Sequence, residues 1–149
     1  MQGLRWVQLT DEEIDDFLGR GGTGVISFGT EDDEPPASIP VSYGYNATDR
    51  AFYFNLSFPP GSRKDGLVDE PVSYVVHEEA DGGWRSVVAT GRLTDVSEMP
   101  YASDAIQGMW AIEIPIVDVF DRPRREISFQ HYLLVPDSLS GRKEVPTDD

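Results

Sequence analysis

The run Ala51-Phe52-Tyr53-Phe54-Asn55 leads through Leu56 into a loop that closes on Pro59-Pro60-Gly61, and then into Ser62-Arg63-Lys64. Phe52 and Phe54 alternate with Tyr53 as a half-buried strand requires, and the two prolines stop its continuation. A helix over residues 62–69 therefore has a defined start, with Gly61 and Ser62 suited to the N-cap. Its unpaired backbone N–H groups and partial positive charge form an anion site, to which Arg63 and Lys64 add two full charges. This spacing reads as a phosphate cradle; a solvated basic pair at a helix end accounts for it equally well. Downstream, residues 72–77 and 84–96 are two β-branched arms joined at Asp81-Gly82-Gly83, a hairpin.

Upstream, Thr10 is followed by Glu13, a capping box, and Leu9 with Ile14 forms a hydrophobic staple. Ile14, Phe17 and Leu18 give this helix its apolar stripe, and Gly19 or Gly21-Gly22 ends it. Residues 23–28 and 37–45 read as strands either side of the acidic turn Glu31-Asp32-Asp33-Glu34. Consecutive acids without spacing describe a solvated hairpin tip rather than a metal loop. Pro40 cannot donate to a ladder, so it marks an edge or a bulge where backbone is free to meet something else. Residues 97–108 form a weaker helix, 110–120 and 127–135 two more strands around the basic turn Arg122-Pro123-Arg124-Arg125, and 141–149 a polar tail. About seven strands, mostly antiparallel, with two or three short helices and no βαβ alternation, predict a mainly β single domain spanning 1–149, built as a barrel.

The chain has 149 residues, enough to bury roughly 70% of its unfolded surface. Its net charge is -15, from 27 carboxylates against 12 basic residues. That balance excludes a nucleic-acid surface and argues against anionic lipid. Ten arginines to two lysines within so acidic a chain fits a cell living in molar salt, where the Debye length is about 3 Å; a salt-loving archaeon is the expected source. Cysteine is absent, and with it thiolate metal sites and thiol nucleophiles. No apolar run suggests a signal peptide or a membrane span, so the cytoplasm is the expected location.

Self-sufficient side-chain catalysis is not in evidence. There is no Gly-x-Ser-x-Gly, no Walker or dinucleotide fingerprint, and His77 and His131 fall in separate strands, where each reads as a partly buried strand histidine; no metal is expected. Any catalysis must then be carried by a bound cofactor.

Phe54-Asn55-Leu56-Ser57, Gly61-Ser62-Arg63-Lys64 and Arg85-Ser86-Val87-Val88-Ala89-Thr90-Gly91-Arg92, in that order, resemble the FMN-binding split β-barrels related to pyridoxamine 5'-phosphate oxidase. The resemblance covers residues 9–96 well and the last third loosely. It implies a homodimer with one FMN at each of two interfacial sites. Arg63 and Lys64 would hold the FMN phosphate, with Arg85 as a further local charge, and Ser86 would place a polar side chain against the flavin. Phe54 and Asn55 match the strand whose edge lines the ring, and Pro40-Val41-Ser42-Tyr43 the strand on its other side. The strand over 39–44 lacks the oxidase's initial Arg and final Lys, and Pro59-Pro60 lengthens the loop before the phosphate motif. The branch of nitroimidazole reductases is the nearer likeness, sharing Pro-Val-x-Tyr and Trp/Tyr-Arg-Ser-Val.

The resemblance therefore implies an oxidoreductase passing a hydride or electrons from NAD(P)H to an unknown acceptor. A non-catalytic flavin binder or sensor is the rival, as is the same fold carrying a deazaflavin or haem. Oxidation of pyridoxamine phosphate is not expected. Its second phosphate needs a second basic cluster, and once Arg63, Lys64 and Arg85 are assigned to FMN only the 122–125 turn or the Arg142-Lys143 pair remains to supply one.

Overall fold

The computed structural model describes residues 3–30, 33–56, 69–80, 82–96 and 130–146. The expected helices over 62–69 and 97–108, the strand over 110–120 and the basic turn lie outside them, but for Asp69 at the end of the first. The described residues form β1 (Leu4–Gln8), α1 (Asp11–Leu18), β2 (Gly21–Phe28), β3 (Ala37–Asn46), β4 (Ala51–Leu56), β5 (Val72–Ala80), β6 (Gly83–Gly91), β7 (Leu93–Asp95), β8 (Gln130–Leu134) and β9 (Ser138–Pro146). These strands make one sheet in the order β1-β9-β6-β5-β2-β3-β4-β8-β7, with antiparallel pairing throughout. With α1, the one α-helix among the described residues, this is the antiparallel half-barrel of a split β-barrel.

The helix starts as its sequence dictates. Thr10 Oγ1 accepts from the Glu13 N–H and Glu13 Oε1 accepts from the Thr10 N–H, so two otherwise unpaired donors are satisfied. Leu9, Ile14 and Leu18 then enter the core beside the inner face of the sheet, where Phe28, Tyr43, Phe52, Phe54, Tyr74 and Leu134 are buried. Gly19 turns the chain with φ 59, and its N–H donates to Asp15 O. Tyrosine hydroxyls in this core find backbone acceptors: Tyr43 Oη donates to Leu18 O at 3.0 Å and Tyr74 Oη to Val41 O at 2.9 Å. Burial pushes both phenols up, so they stay neutral donors.

Side chains from the hairpin that joins β3 to β4 clamp the helix to the sheet. Tyr45 Oη donates to Asp15 Oδ1 at 2.6 Å, and Arg50, itself at φ 52, reaches Asp15 and Asp11 at 3.3 Å each. Burial first, and the hydrogen bond to Asp15 second, push the Tyr45 phenol up to about 12. On the helix's other side the Lys143 ammonium from β9 pairs with Glu13.

Three expectations are corrected. Residues 141–146, read as a polar tail, belong to β9, which lies between β1 and β6 and pairs with both. The arm expected over 84–96 breaks after Gly91; Leu93–Asp95 crosses to pair with β8 at the opposite end of the sheet. Tyr53 is not on a solvated face: it is buried, as are its neighbours Phe52 and Phe54 on the opposite side of the strand.

Candidate functional site

Strands β3 and β4 run together only at their hairpin end, through Asn46↔Ala51, Tyr45↔Phe52 and Gly44↔Tyr53. Beyond Gly44 they part: residues 37–43 stay with β2, while Phe54, Asn55 and Leu56 stay with β8. Pro40 lies in the parted stretch, so its missing N–H falls on a strand paired along one side only. Pro40 is thus at a local opening inside the sheet rather than at the sheet's edge.

Opposed residues share a face, so Gly44 and Tyr53 set the side on which Ser42 and Asn55, two residues further along each strand, also lie. Ser42 Oγ and Asn55 Oδ1 are both buried and make no hydrogen bond, as does Tyr53 Oη. Unmade hydrogen bonds of this kind cost about 1–3 kcal/mol each, so polar atoms flanking a parted strand pair suit a ligand that satisfies them. His131 stands directly opposite Asn55 on β8, on the same face and exposed.

The expected site residues divide by face. Pro40, Ser42, Asn55 and Ser86 lie on this outer face. Tyr43 and Phe54 point into the core, where Phe54 meets Tyr74 edge-on at 4.8 Å and Phe52 at 6.4 Å, and Val41 packs against the same cluster. Their side chains back the parting; only the strand itself lines it. Arg85 is one residue from Ser86 and therefore on the other face, beside the helix with Glu13, Asp16, Phe17 and Glu78. Arg63 and Lys64 lie outside the described residues. Arg92, the basic residue after Gly91, donates to Asp69 O at 2.8 Å, where the chain rejoins the sheet after that motif.

Ser86 is on the same face but three strand spacings away, since β5 and β2 lie between β6 and β3. At about 4.8 Å per strand this is roughly 14 Å. Ser86 belongs instead to a groove of about 670 Å³ whose walls come from β1, β9, β6 and β5, with Trp6, Val75, His77, Val88 and Arg142 among its lining residues. The sequence reading passed over Trp6, His77 and Arg142 here. Period-2 alternation through 138–146 was the available signal, hidden by the run of charges. His77 and His131 are exposed, not partly buried, and His77 lies against Trp84 at 4.7 Å. Among the described residues no cluster of three or more His, Asp or Glu could hold a metal, and no helix is long and apolar enough to cross a membrane.

The arrangement has counterparts among solved structures. An FAD-binding protein from Mycobacterium smegmatis superposes with a TM-score of 0.66 at 15% identity, covering 92% of this chain and 97% of that one. An FAD-binding protein from Mesorhizobium loti gives 0.62 at 20% identity, over 96% and 99% of the two chains. A candidate 5-nitroimidazole antibiotic resistance protein from Bacteroides thetaiotaomicron gives 0.66 at 14% identity, over 99% and 93%. At such identities these likenesses speak for the fold. No curated protein matches the sequence significantly. The family profile described as pyridoxamine 5'-phosphate oxidase matches residues 10–143, from the N-cap of α1 to the β9 lysine that grips that helix, and the chain belongs to that family.

Proposed function

We propose that the chain binds FMN at the parting of β3 and β4 and serves as an oxidoreductase between a reduced nicotinamide and a neutral or weakly charged acceptor. The observation that carries this reading is the pair of buried, unbonded polar atoms, Ser42 Oγ and Asn55 Oδ1, on one face where the two strands separate. A flavin pyrimidine edge carries both donors and acceptors and would satisfy them. Two of the structural neighbours are described as FAD-binding, which supports a flavin without deciding its length. A monophosphate is favoured by the Arg63-Lys64 pair, which the sequence sets at an expected helix start, with no dinucleotide fingerprint.

A bound flavin supplies hydride and single-electron chemistry that no side chain of this protein offers. The chain's own part is to hold and orient. Ser42 and Asn55 fix the ring edge, Tyr43 and Phe54 anchor the two strands from the core side, and Arg63 and Lys64 take the phosphate. A homodimer belongs to the same reading, with the outer sheet face as its contact and Ser86 of one copy brought towards the opening of the other.

The absorption spectrum of the purified, reconstituted protein tests the assignment. One FMN per chain is expected, and replacing both Arg63 and Lys64 by Ala should weaken binding at least ~tenfold at fixed salt without lowering the melting temperature. Asn55→Ala should weaken it as well. Equal affinity in wild type and the double variant, or a haem or deazaflavin spectrum in place of flavin, would overturn the assignment. Sustained NAD(P)H oxidation separates an enzyme from a flavin binder that does not turn over.

A further inference from the structure

The row of side chains that crosses the parting of β3 and β4 continues on to β8. Ser42 on β3 lies level with Asn55 on β4, and Asn55 stands directly opposite His131, so three polar side chains follow one another on the outer face. Their bonding capacities alternate. The Ser42 hydroxyl can donate, Asn55 Oδ1 can only accept, and both atoms are buried without a partner. An imidazole carries at least one N–H in either protonation state, so His131 adds a second donor. It is exposed and makes no hydrogen bond or ion pair among the described residues. The described groups around it on the same face are Tyr53 and Asn55 on β4, Leu133 on its own strand and Thr94 on β7. None of these is an acid; Asp95 is one residue from Thr94 and therefore on the other face. In a chain with 27 carboxylates, His131 thus keeps its donor uncommitted beside the opening.

We propose that His131 is a third binding residue at this opening, and that Ser42, Asn55 and His131 together recognise a cyclic imide, a ring N–H flanked by two carbonyls. The inference rests on the flavin reading, since an isoalloxazine ring carries such an edge, and it narrows that reading to a pattern. The imide N–H would donate to Asn55 Oδ1, and the flanking carbonyls would accept from Ser42 and His131. Each group then meets its complement. Opposed Cβ atoms on paired strands are about 4.5–5.5 Å apart, which lets an asparagine and a histidine side chain reach adjacent atoms of one ring. An edge of donors alone, or of acceptors alone, would leave at least one of the three groups unsatisfied, at a cost. A 5-deaza analogue of the ring keeps the imide, whereas a porphyrin has none, so the row takes a flavin or a deazaflavin and disfavours haem. A second copy on the outer face is compatible with this role, because His131 has to meet the ligand rather than solvent.

Fluorescence titration of the full chain with riboflavin and with 3-methylriboflavin tests the row. Riboflavin lacks the phosphate, so the comparison rests on ring contacts alone, and the methyl group removes the imide N–H. Riboflavin should bind about tenfold more tightly than its methylated analogue, the size of one hydrogen bond. His131→Leu should lower riboflavin affinity by a similar factor, and His131→Gln, which keeps an N–H donor, should restore most of it. His131 is exposed, so both variants should match the wild type in melting temperature and in mass by light scattering. The chain has two histidines, and the imidazole signals that His131→Gln lacks should move in the proton NMR spectrum as the wild type is saturated with riboflavin. Unchanged riboflavin affinity in His131→Leu, or signals that stay in place at saturation, would overturn the role of His131 and leave the flavin reading standing. Equal binding of the two riboflavins would overturn the imide pattern. A wild type that takes up neither FMN nor riboflavin would instead overturn the flavin reading, and this inference with it.

Discussion

Glu13 works in two places at once. One carboxylate oxygen accepts the Thr10 N–H at the mouth of α1, and the other meets Lys143 on β9. The hydrogen bond from Lys143, seconded by that from Thr10, lowers its carboxyl from an ordinary 4.5 to about 2. A carboxyl with a lower pKa folded than unfolded stabilises the fold above its unfolded value, and that contribution disappears as pH falls through the folded one. The stability gap between wild type and Glu13→Gln should therefore be constant above about pH 5, narrow between about 4.5 and 2, and close below that. Melting temperatures across this range check it; a gap independent of pH would separate Glu13 from Lys143. The capping role was plain in the sequence, because Thr10-x-x-Glu13 is a local signal. The reach to Lys143 was not, since it spans 130 positions. Arg85 and Ser86 show the same limit differently: a shared motif placed them together, but neighbours in a strand face opposite ways.

At the scale of elements, β9 holds together what precedes it. It supplies the ladder for β1 along residues 142–146 and for β6 along 138–143. Gly141 makes the close approach possible: a Cβ there would come within 2.8 Å of Leu9 Cδ1 and 3.1 Å of Ser86 O. Deleting the chain from residue 138 onward should abolish cooperative unfolding by denaturant, because the deletion leaves β1 without a partner and frees one side of β6. A truncated chain that still unfolds in one sharp transition would contradict this. The sequence concealed β9 for a physical reason. Arg142 and Glu144 point outward while Lys143 turns towards Glu13, so a half-solvated strand with its one inward charge neutralised looks like a charged tail. By contrast β4 was legible from its aromatics, although Tyr53 reads as a surface residue until the burial of both faces is seen. The opening between β3 and β4 left a mark in the sequence at Pro40, which cannot donate to a ladder, whereas the meeting of His77, Ser86 and Arg142 left none, because it rests on pairing across separate strands.

For the whole molecule two forces are set against each other. A net charge of -15 repels itself, and the described ion pairs engage few of the acids. Screening should relieve this, so denaturation midpoints are expected to rise between roughly 0.1 and 1 M KCl. A midpoint that stays fixed over that range would argue against adaptation to salt. Apolar surface pulls the other way: Trp6, Trp84, Val25 and Val88 are 45%, 41%, 39% and 37% exposed, all on the outer face of the sheet. A second copy seated there would cover that surface, as the proposed homodimer requires. Light scattering in molar KCl should then give a dimer for the wild type, and a monomer for Val25→Glu, whose charge would have to be buried in the contact. A monomeric wild type, or a dimer untouched by Val25→Glu, would count against the outer face as the interface.

The strand order carries a consequence in time. Strand β9 lies between β1 and β6, so among the described strands β1 has no partner until residues 142–146 have been synthesised. The hairpins β2–β3, β3–β4 and β5–β6 join near neighbours and are free to form while the chain is still growing. The pairing of β1 with β9, and with it the grip of Lys143 on the helix, must come last. Contacts of such long sequence separation are slow to form. During that interval the chain would present Leu4, Trp6 and an unpaired edge to its surroundings, which makes β1 the place where a nascent copy is most open to chaperones and to wrong pairing.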